Sequence, residues 1–252
     1  MSLVFPAPPP TLLPVQGGGS FPVHRIYCVG RNYAEHAQEM GFTGREPPFF
    51  FMKPADAAVP VAAGETGLID YPSLTADLHH EVELVVAIGG DRHGGSGGRN
   101  IAAADAMDHV WGCAVGLDMT RRDLQGQMKK QGRPWCIGKA FEQSAPIGPI
   151  VPLAQCGPLN AGAITLQVNG VPRQSGDLAD LIWTVPEIIE QLSRAWTLQP
   201  GDLIYTGTPA GVGAVVAGDV MEAHIAGLPP LRVQLRPQLS AQLGPQLSPQ
   251  LR

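Results

Sequence analysis

The sequence predicts a β-rich α+β fold with few, short helices. Two observations point there. The chain of 252 residues carries 31 glycines and 25 prolines, a load that suits many short strands joined by turns rather than long helices. Its apolar residues also fall in runs of strand length bounded by turn signals. A hydrophobic content of 44% is enough for a sizeable core and excludes wholesale disorder.

The elements follow in order. Met1 to Ser20 is Pro- and Gly-rich and reads as an irregular leader. Ile26 to Val29 is a strand, after which Asn32 caps a short helix from Tyr33 to Met40, ended by Gly41. Phe49 to Met52 is an apolar run, and His79 to Ile88 a strong strand. Asp91 to Gly98 is a Gly-rich loop, and Ala102 to His109 a short helix. Val110 to Leu117 is a second apolar strand that runs into Asp118. Thr120 and Asp123 have capping-box spacing, which predicts a helix over Arg121 to Gln131, stopped by Gly132 and Pro134. Ile164 to Val168 followed by Asn169-Gly170 signals a hairpin. Val185 to Ala195 is a helix with Pro186 in its first turn. Leu203 to Thr206 is a strand, and short strands and turns alternate to Leu235. The chain thus divides into a leader (1–20), one catalytic-sized unit (21–235) and a Pro-Gln-Leu tail (236–252). The tail has no core periodicity and reads as disordered, with a Pro-rich partner ligand as the alternative.

Charge and composition limit the function. Lys and Arg number 17 against 22 Asp and Glu, a net charge of −5, which argues against nucleic acid or an anionic membrane as partner. A small anionic substrate needs only a local cluster and stays open. No stretch has the length of a membrane span, and the N-terminus lacks the basic region of a secretory signal. Cytoplasm is therefore the expected compartment. Cys28, Cys113, Cys136 and Cys156 are scattered without a CxxC pair and are expected as buried free thiols.

The chemistry concentrates in a few places. Glu81 and Glu83 are two apart on a predicted strand and share a face. Two carboxylates on one face repel unless a cation lies between them; the alternative is a pair of solvated edge carboxylates. Asp118, at the end of a second strand, adds a third oxygen donor, with helix capping as its other reading. Three carboxylates suit Mg²⁺, Mn²⁺ or Ca²⁺ rather than Zn²⁺. His36 and Glu39, three apart on a helix, have the spacing of a carboxylate-oriented general base; a surface His–Glu pair has the same spacing. Lys139 is a cation among small and apolar neighbours, suited to a substrate carboxylate or an enolate. Gln125 lies on the helix after Asp118. The Gly-rich run Tyr205 to Gly213 is no phosphate loop, because no Lys-Ser/Thr follows its last glycine. Its amides and threonine hydroxyls suit a carboxylate.

These stretches together resemble the fumarylacetoacetate hydrolase superfamily, in its short acylpyruvase-like branch. The resemblance rests on CVGRNYAEHAQEMG (28–41), FFFMKPADA (49–57), HHEVELVVAIG (79–89), GLDMTRRDLQ (116–125), GRPWCIGKAFEQSAPIGP (132–149), VNG (168–170) and YTGTPAGVG (205–213). Within the branch the motifs are most similar to those of the bacterial fumarylpyruvate hydrolases of gentisate breakdown. The resemblance implies a β-rich α+β roll of mixed sheets and a homodimer. It implies Glu81, Glu83 and Asp118 as ligands of Mg²⁺ or Mn²⁺, His36 and Glu39 as a water-activating dyad on a lid, Lys139 and Gln125 at the substrate or its oxyanion, and Thr208 at a substrate carboxylate. The implied activity is metal-dependent hydrolysis of the C–C bond of an acylpyruvate. For fumarylpyruvate the products are fumarate and pyruvate. A distal carboxylate then needs a second cation, for which Arg31, Lys53, Arg121, Arg122 and Lys129 are the candidates. Oxaloacetate decarboxylation or keto–enol isomerisation on the same scaffold is the alternative activity, and a non-catalytic metal-stabilised binding module the alternative of another class.

Overall fold

A computed structural model describes residues 3–33, 45–90 and 98–238. The predicted helix with His36 and Glu39, most of the 91–98 loop and nearly all of the Pro-Gln-Leu tail lie outside the described residues. In chain order the strands are β1 (Leu12–Pro14), β2 (Ser20–Pro22), β3 (Arg25–Gly30), β4 (Phe49–Lys53), β5 (Ala58–Pro60), β6 (Thr66–Asp70), β7 (Leu78–His80), β8 (Val82–Ile88) and β9 (Val110–Leu117). They continue as β10 (Thr120–Arg121), β11 (Ala145–Ile147), β12 (Val151–Pro152), β13 (Ala163–Val168), β14 (Val171–Asp177), β15 (Asp202–Tyr205), β16 (Gly213–Val215), β17 (Val220–Ile225) and β18 (Leu231–Arg236). The described α-helices are α1 (Arg122–Lys130), α2 (Cys136–Lys139) and α3 (Val185–Ala195). None is long and apolar enough to cross a membrane.

The largest sheet runs β4-β3-β15-β8-β9-β11-β5, with β12 also on β9. A second runs β14-β13-β17-β18-β6, and a third, small one runs β10-β7-β16. Most pairs are antiparallel, but β15 with β3, β11 with β5 and β18 with β6 are parallel, so the sheets are mixed as expected. β8 is buried at every position because both of its faces are covered. Leu84, Val86 and Ile88 point into the main core, while Val85 and Ala87 point into a second core with Cys28, Ala114 and Tyr205. Glu83 has the parity of Val85 and Ala87 and therefore leaves β8 on their side.

Several expectations are met in detail. Asn169 and Gly170 take positive φ values of 52° and 77°, as a two-residue turn of the primed type requires, and join β13 to β14. In α3 the Thr184 amide and hydroxyl donate to Glu187 Oε2 at 2.9 and 2.8 Å, and the helix buries Val185, Ile188, Ile189 and Leu192.

Others are corrected. The leader is not wholly irregular: Leu12–Pro14 pairs with Ser20–Pro22, and Leu13 is fully buried. The strand read over His79 to Ile88 is two strands broken at Glu81, because β7 pairs in the small sheet and β8 in the large one. The expected helix at Ala102 to His109 is a 3₁₀ turn over Ala106–His109. The Thr120–Asp123 capping box does not form. Thr120 is held extended in β10, and its hydroxyl donates to the Asp118 carbonyl at 3.1 Å. The Asp123 carboxylate instead accepts from the Thr75 hydroxyl at 2.7 Å. Two of the cysteines expected as free thiols, Cys113 of β9 and Cys156, form a disulfide. They are 43 residues apart, and such a separation leaves no spacing signal. Of the other two, Cys28 is buried and Cys136 exposed.

Candidate active site

The break in the strand at Glu81 builds the site. The Asp118 amide donates to the Glu81 carbonyl at 2.9 Å, which holds the end of β9 against the junction of β7 and β8. Asp118 is not a helix cap. Carboxylate oxygens of Glu81, Glu83 and Asp118 lie within 4.8 Å of one another, and all three residues are buried. The β7–β8 junction, the start of β8 and the end of β9 thus bring together the residues that the sequence singled out.

Cations surround this cluster. Lys139, at the end of α2, donates to Glu81 Oε2 at 2.8 Å and to Asp118 Oδ2 at 2.7 Å. Arg122, at the start of α1, meets Glu81 Oε1 at 2.5 Å. Lys53, the last residue of β4, meets Asp118 Oδ1 at 2.8 Å and donates to the Met119 and Lys139 carbonyls. Glu83 is the exception. The Gly207 amide donates to its Oε2 at 2.8 Å, and it has no side-chain cation of its own among the described residues. Burial, then the charges of Asp118 and Glu81, push the Glu83 carboxyl well above the usual glutamate range. Burial opposes the charge of Lys139, but Asp118 and Glu81 outweigh it and raise its pKa. Three buried, oxygen-only donors with one carboxylate short of a counter-charge fit a hard divalent cation, Mg²⁺ or Mn²⁺, better than a thiophilic one.

The pocket beside the cluster is lined by Glu81, Glu83 and Asp118 together with Arg31, Phe51, Arg122, Gln125, Trp135, Lys139 and Thr208. Gln125 accepts from Arg122 Nη1 at 2.6 Å through its Oε1. That fixes its amide orientation and leaves Nε2 as a donor for the pocket. The candidate cations for a distal carboxylate separate here. Arg31 and Arg122 reach the wall. Lys53 does not: it is 1% exposed and its ammonium faces Asp118, a carboxylate of the cluster. Arg121 is turned over the Phe141 ring, 4.3 Å from its centroid, and donates to the Ile137 carbonyl. Lys129 is not on the wall either. His36 and Glu39 lie outside the described residues.

One polar residue at the site went unnoticed in the sequence. Gln174 of β14 bonds His80, Val82, Thr208 and Pro209. No spacing rule flags it, because it is one polar residue in an otherwise exposed polar strand.

The residue 25–236 segment matches the family model described as fumarylacetoacetate (FAA) hydrolase C-terminal. A crystal structure of fumarylpyruvate hydrolase from Pseudomonas aeruginosa, in complex with Mn²⁺ and pyruvate, has a TM-score of 0.90 and 54% identity, covering 94% of this chain and all of that one. A putative fumarylpyruvate hydrolase from Burkholderia cenocepacia has a TM-score of 0.85 and 48% identity, covering 95% of this chain and all of that one. The mitochondrial oxaloacetate tautomerase FAHD1 of Rattus norvegicus is 42% identical over 210 residues, 83% of this chain and 90% of that protein. The match of fold, of sequence along nearly the whole length and of a buried carboxylate triad leads to one conclusion: the chain belongs to the fumarylacetoacetate hydrolase family.

Proposed function

We propose that this protein is a metal-dependent hydrolase of acylpyruvates and that fumarylpyruvate is its substrate, cleaved to fumarate and pyruvate in aromatic catabolism. The observation that carries the reading is the buried Glu81, Glu83 and Asp118 cluster with Lys139 against it, in a chain 54% identical to a fumarylpyruvate hydrolase. Those three carboxylates would hold Mg²⁺ or Mn²⁺, and the ion would supply Lewis-acid stabilisation of enolate charge. The chain's own residues do the rest. His36 removes a proton from water, with Glu39 fixing the imidazole's orientation. The water oxygen adds to the carbonyl distal to the keto acid. Gln125 Nε2 and Lys139 Nζ are the donors available to the oxyanion that forms. The C–C bond then breaks, its electron pair enters the pyruvate fragment as an enolate, and a proton delivered to that carbon gives pyruvate. Arg31 and Arg122 are the cations on the pocket wall that suit the fumaryl carboxylate. Residues 21–235 form the catalytic unit, and a homodimer in the cytoplasm is the proposed state of the protein.

Oxaloacetate keto–enol isomerisation or decarboxylation is the second reading, supported by the 42% identity to the rat tautomerase. It uses the same enolate but needs no attack by water. Metal removal tests the common core of both readings. Treatment with a chelator is expected to abolish turnover of fumarylpyruvate, followed by loss of the diketone's ultraviolet absorbance, and added Mg²⁺ or Mn²⁺ to restore it. Turnover untouched by chelation would contradict the assignment of the cluster.

A further inference from the structure

Gln174 occupies an unusual place. It is 1% exposed, while its neighbours Arg173 and Ser175 on β14 are exposed. Its side chain reaches between the β7–β8 junction, where Glu81 lies, and the loop that carries Thr208. Oε1 accepts from the Val82 amide at 3.1 Å and pairs with His80 Nδ1 at 2.9 Å. Nε2 donates to the Pro209 carbonyl at 2.9 Å and to Thr208 Oγ1 at 2.7 Å. A backbone amide only donates and a carbonyl only accepts, so the orientation of the carboxamide is forced. Both lone pairs and both protons of the carboxamide are then used.

This has a consequence for Thr208. Its oxygen accepts a hydrogen bond from Gln174 Nε2, so its own proton is left to donate elsewhere. Thr208 is 3% exposed and lines the pocket beside Glu83. Among the described residues its hydroxyl proton has no acceptor. We propose that Gln174 is a positioning residue that sets Thr208 as a hydrogen-bond donor to the anionic keto-acid end of the substrate; this rests on the acylpyruvate reading above. Without the carboxamide, nothing holds the Thr208 hydroxyl in this orientation.

The test is a double-mutant cycle in the full-length, Mg²⁺-loaded protein, read by pyruvate affinity in calorimetry and by the steady-state constants for fumarylpyruvate. Gln174→Met is expected to weaken pyruvate roughly tenfold, the scale of one hydrogen bond to a charged group. It is also expected to raise KM similarly, with kcat changed by less than about threefold. Thr208→Val is expected to do the same. Because the two act through one hydroxyl, adding Gln174→Met to Thr208→Val is expected to change pyruvate affinity by less than about twofold. Additive losses would overturn the proposal, as would unchanged pyruvate affinity in Gln174→Met or wild-type protein that does not bind pyruvate at all. Should Gln174→Met fail to fold, ¹⁵N-labelled protein supplies the readout. The Gln174 side-chain amide signals are expected to shift on pyruvate saturation in wild type and to stay in place in Thr208→Val; no shift in wild type overturns the proposal. Pyruvate binding that follows the expected pattern in a protein that leaves fumarylpyruvate intact would uphold Gln174 and overturn the substrate reading alone.

Discussion

At the scale of single residues, the account turns on how three buried carboxylates are compensated. Among the described residues Glu83 lacks the side-chain cation that Glu81 and Asp118 each have, and its folded pKa is raised mainly by burial. A metal ion needs its carboxylate form, so protons compete with the ion over the range between the ordinary 4.5 and the raised value. Mn²⁺ affinity is therefore expected to fall with decreasing pH from well above 4.5, by about tenfold per unit for each proton displaced. Calorimetry in buffers of different ionisation heat would report that proton release, and affinity that stays flat down to pH 4.5 would contradict it. Lys53 is the second case. Its ammonium and Asp118 are 0% and 1% exposed, so Lys53→Met strands a buried charge. The expected loss is about 3–5 kcal/mol of stability in urea unfolding; a loss under about 1 kcal/mol, the scale of an exposed pair, would contradict the buried pairing. The triad itself was legible, since E-x-E on a strand and an acid at a strand end are local patterns. The position of Lys53 was not, because its partner lies 65 residues away and the two meet only through long-range packing, β4 and β9 not being neighbours in the large sheet.

At the scale of elements, the site depends on how α1 and α2 meet. Gly138 of α2 packs so closely on α1 that a Cβ there would come within 2.8 Å of the Gln125 amide nitrogen and 2.9 Å of its Cα. Backbone cannot give way as a side-chain end does, so Gly138→Ala must push the helices apart. Overpacking of this kind costs about 1–3 kcal/mol, and it displaces Gln125 and Lys139 together. Activity at temperatures where the variant remains folded is expected to drop at least about tenfold, since small misplacements of positioned groups are costly. Near-normal kcat/KM would show that the contact does not position the site. Strand and helix existence was largely readable from apolar runs and caps, as β8, β9 and α3 illustrate. The misreadings share a cause: Thr120 is claimed by strand pairing, the strand through Glu81 is divided between two sheets, and Cys113 meets Cys156 through packing. Each is a long-range contact overriding a local rule.

At the scale of the whole molecule, the mixed sheets serve to bring distant segments to one small pocket. Carboxylates from the β8–β9 core, cations from β4, α1 and α2, and the loop after β15 converge there, braced by Gln174 from the second sheet. Such a pocket selects by charge placement. Lys139, Gln125 and Thr208 line it beside the carboxylates, and Arg31 and Arg122 add two further cations to its wall. A carboxylate held by arginine in a closed site is worth about 1.5–3 kcal/mol. That converts to roughly ten- to a hundred-fold in kcat/KM between a substrate with the second carboxylate and one without. The most direct measurement is therefore kcat/KM, with products identified by NMR, for fumarylpyruvate, acetylpyruvate and oxaloacetate in the Mg²⁺-loaded protein. The account predicts fumarate and pyruvate from fumarylpyruvate, with at least about tenfold preference over acetylpyruvate. Equal rates for those two would contradict the fumaryl assignment, and faster turnover of oxaloacetate than of either would contradict the hydrolase reading itself.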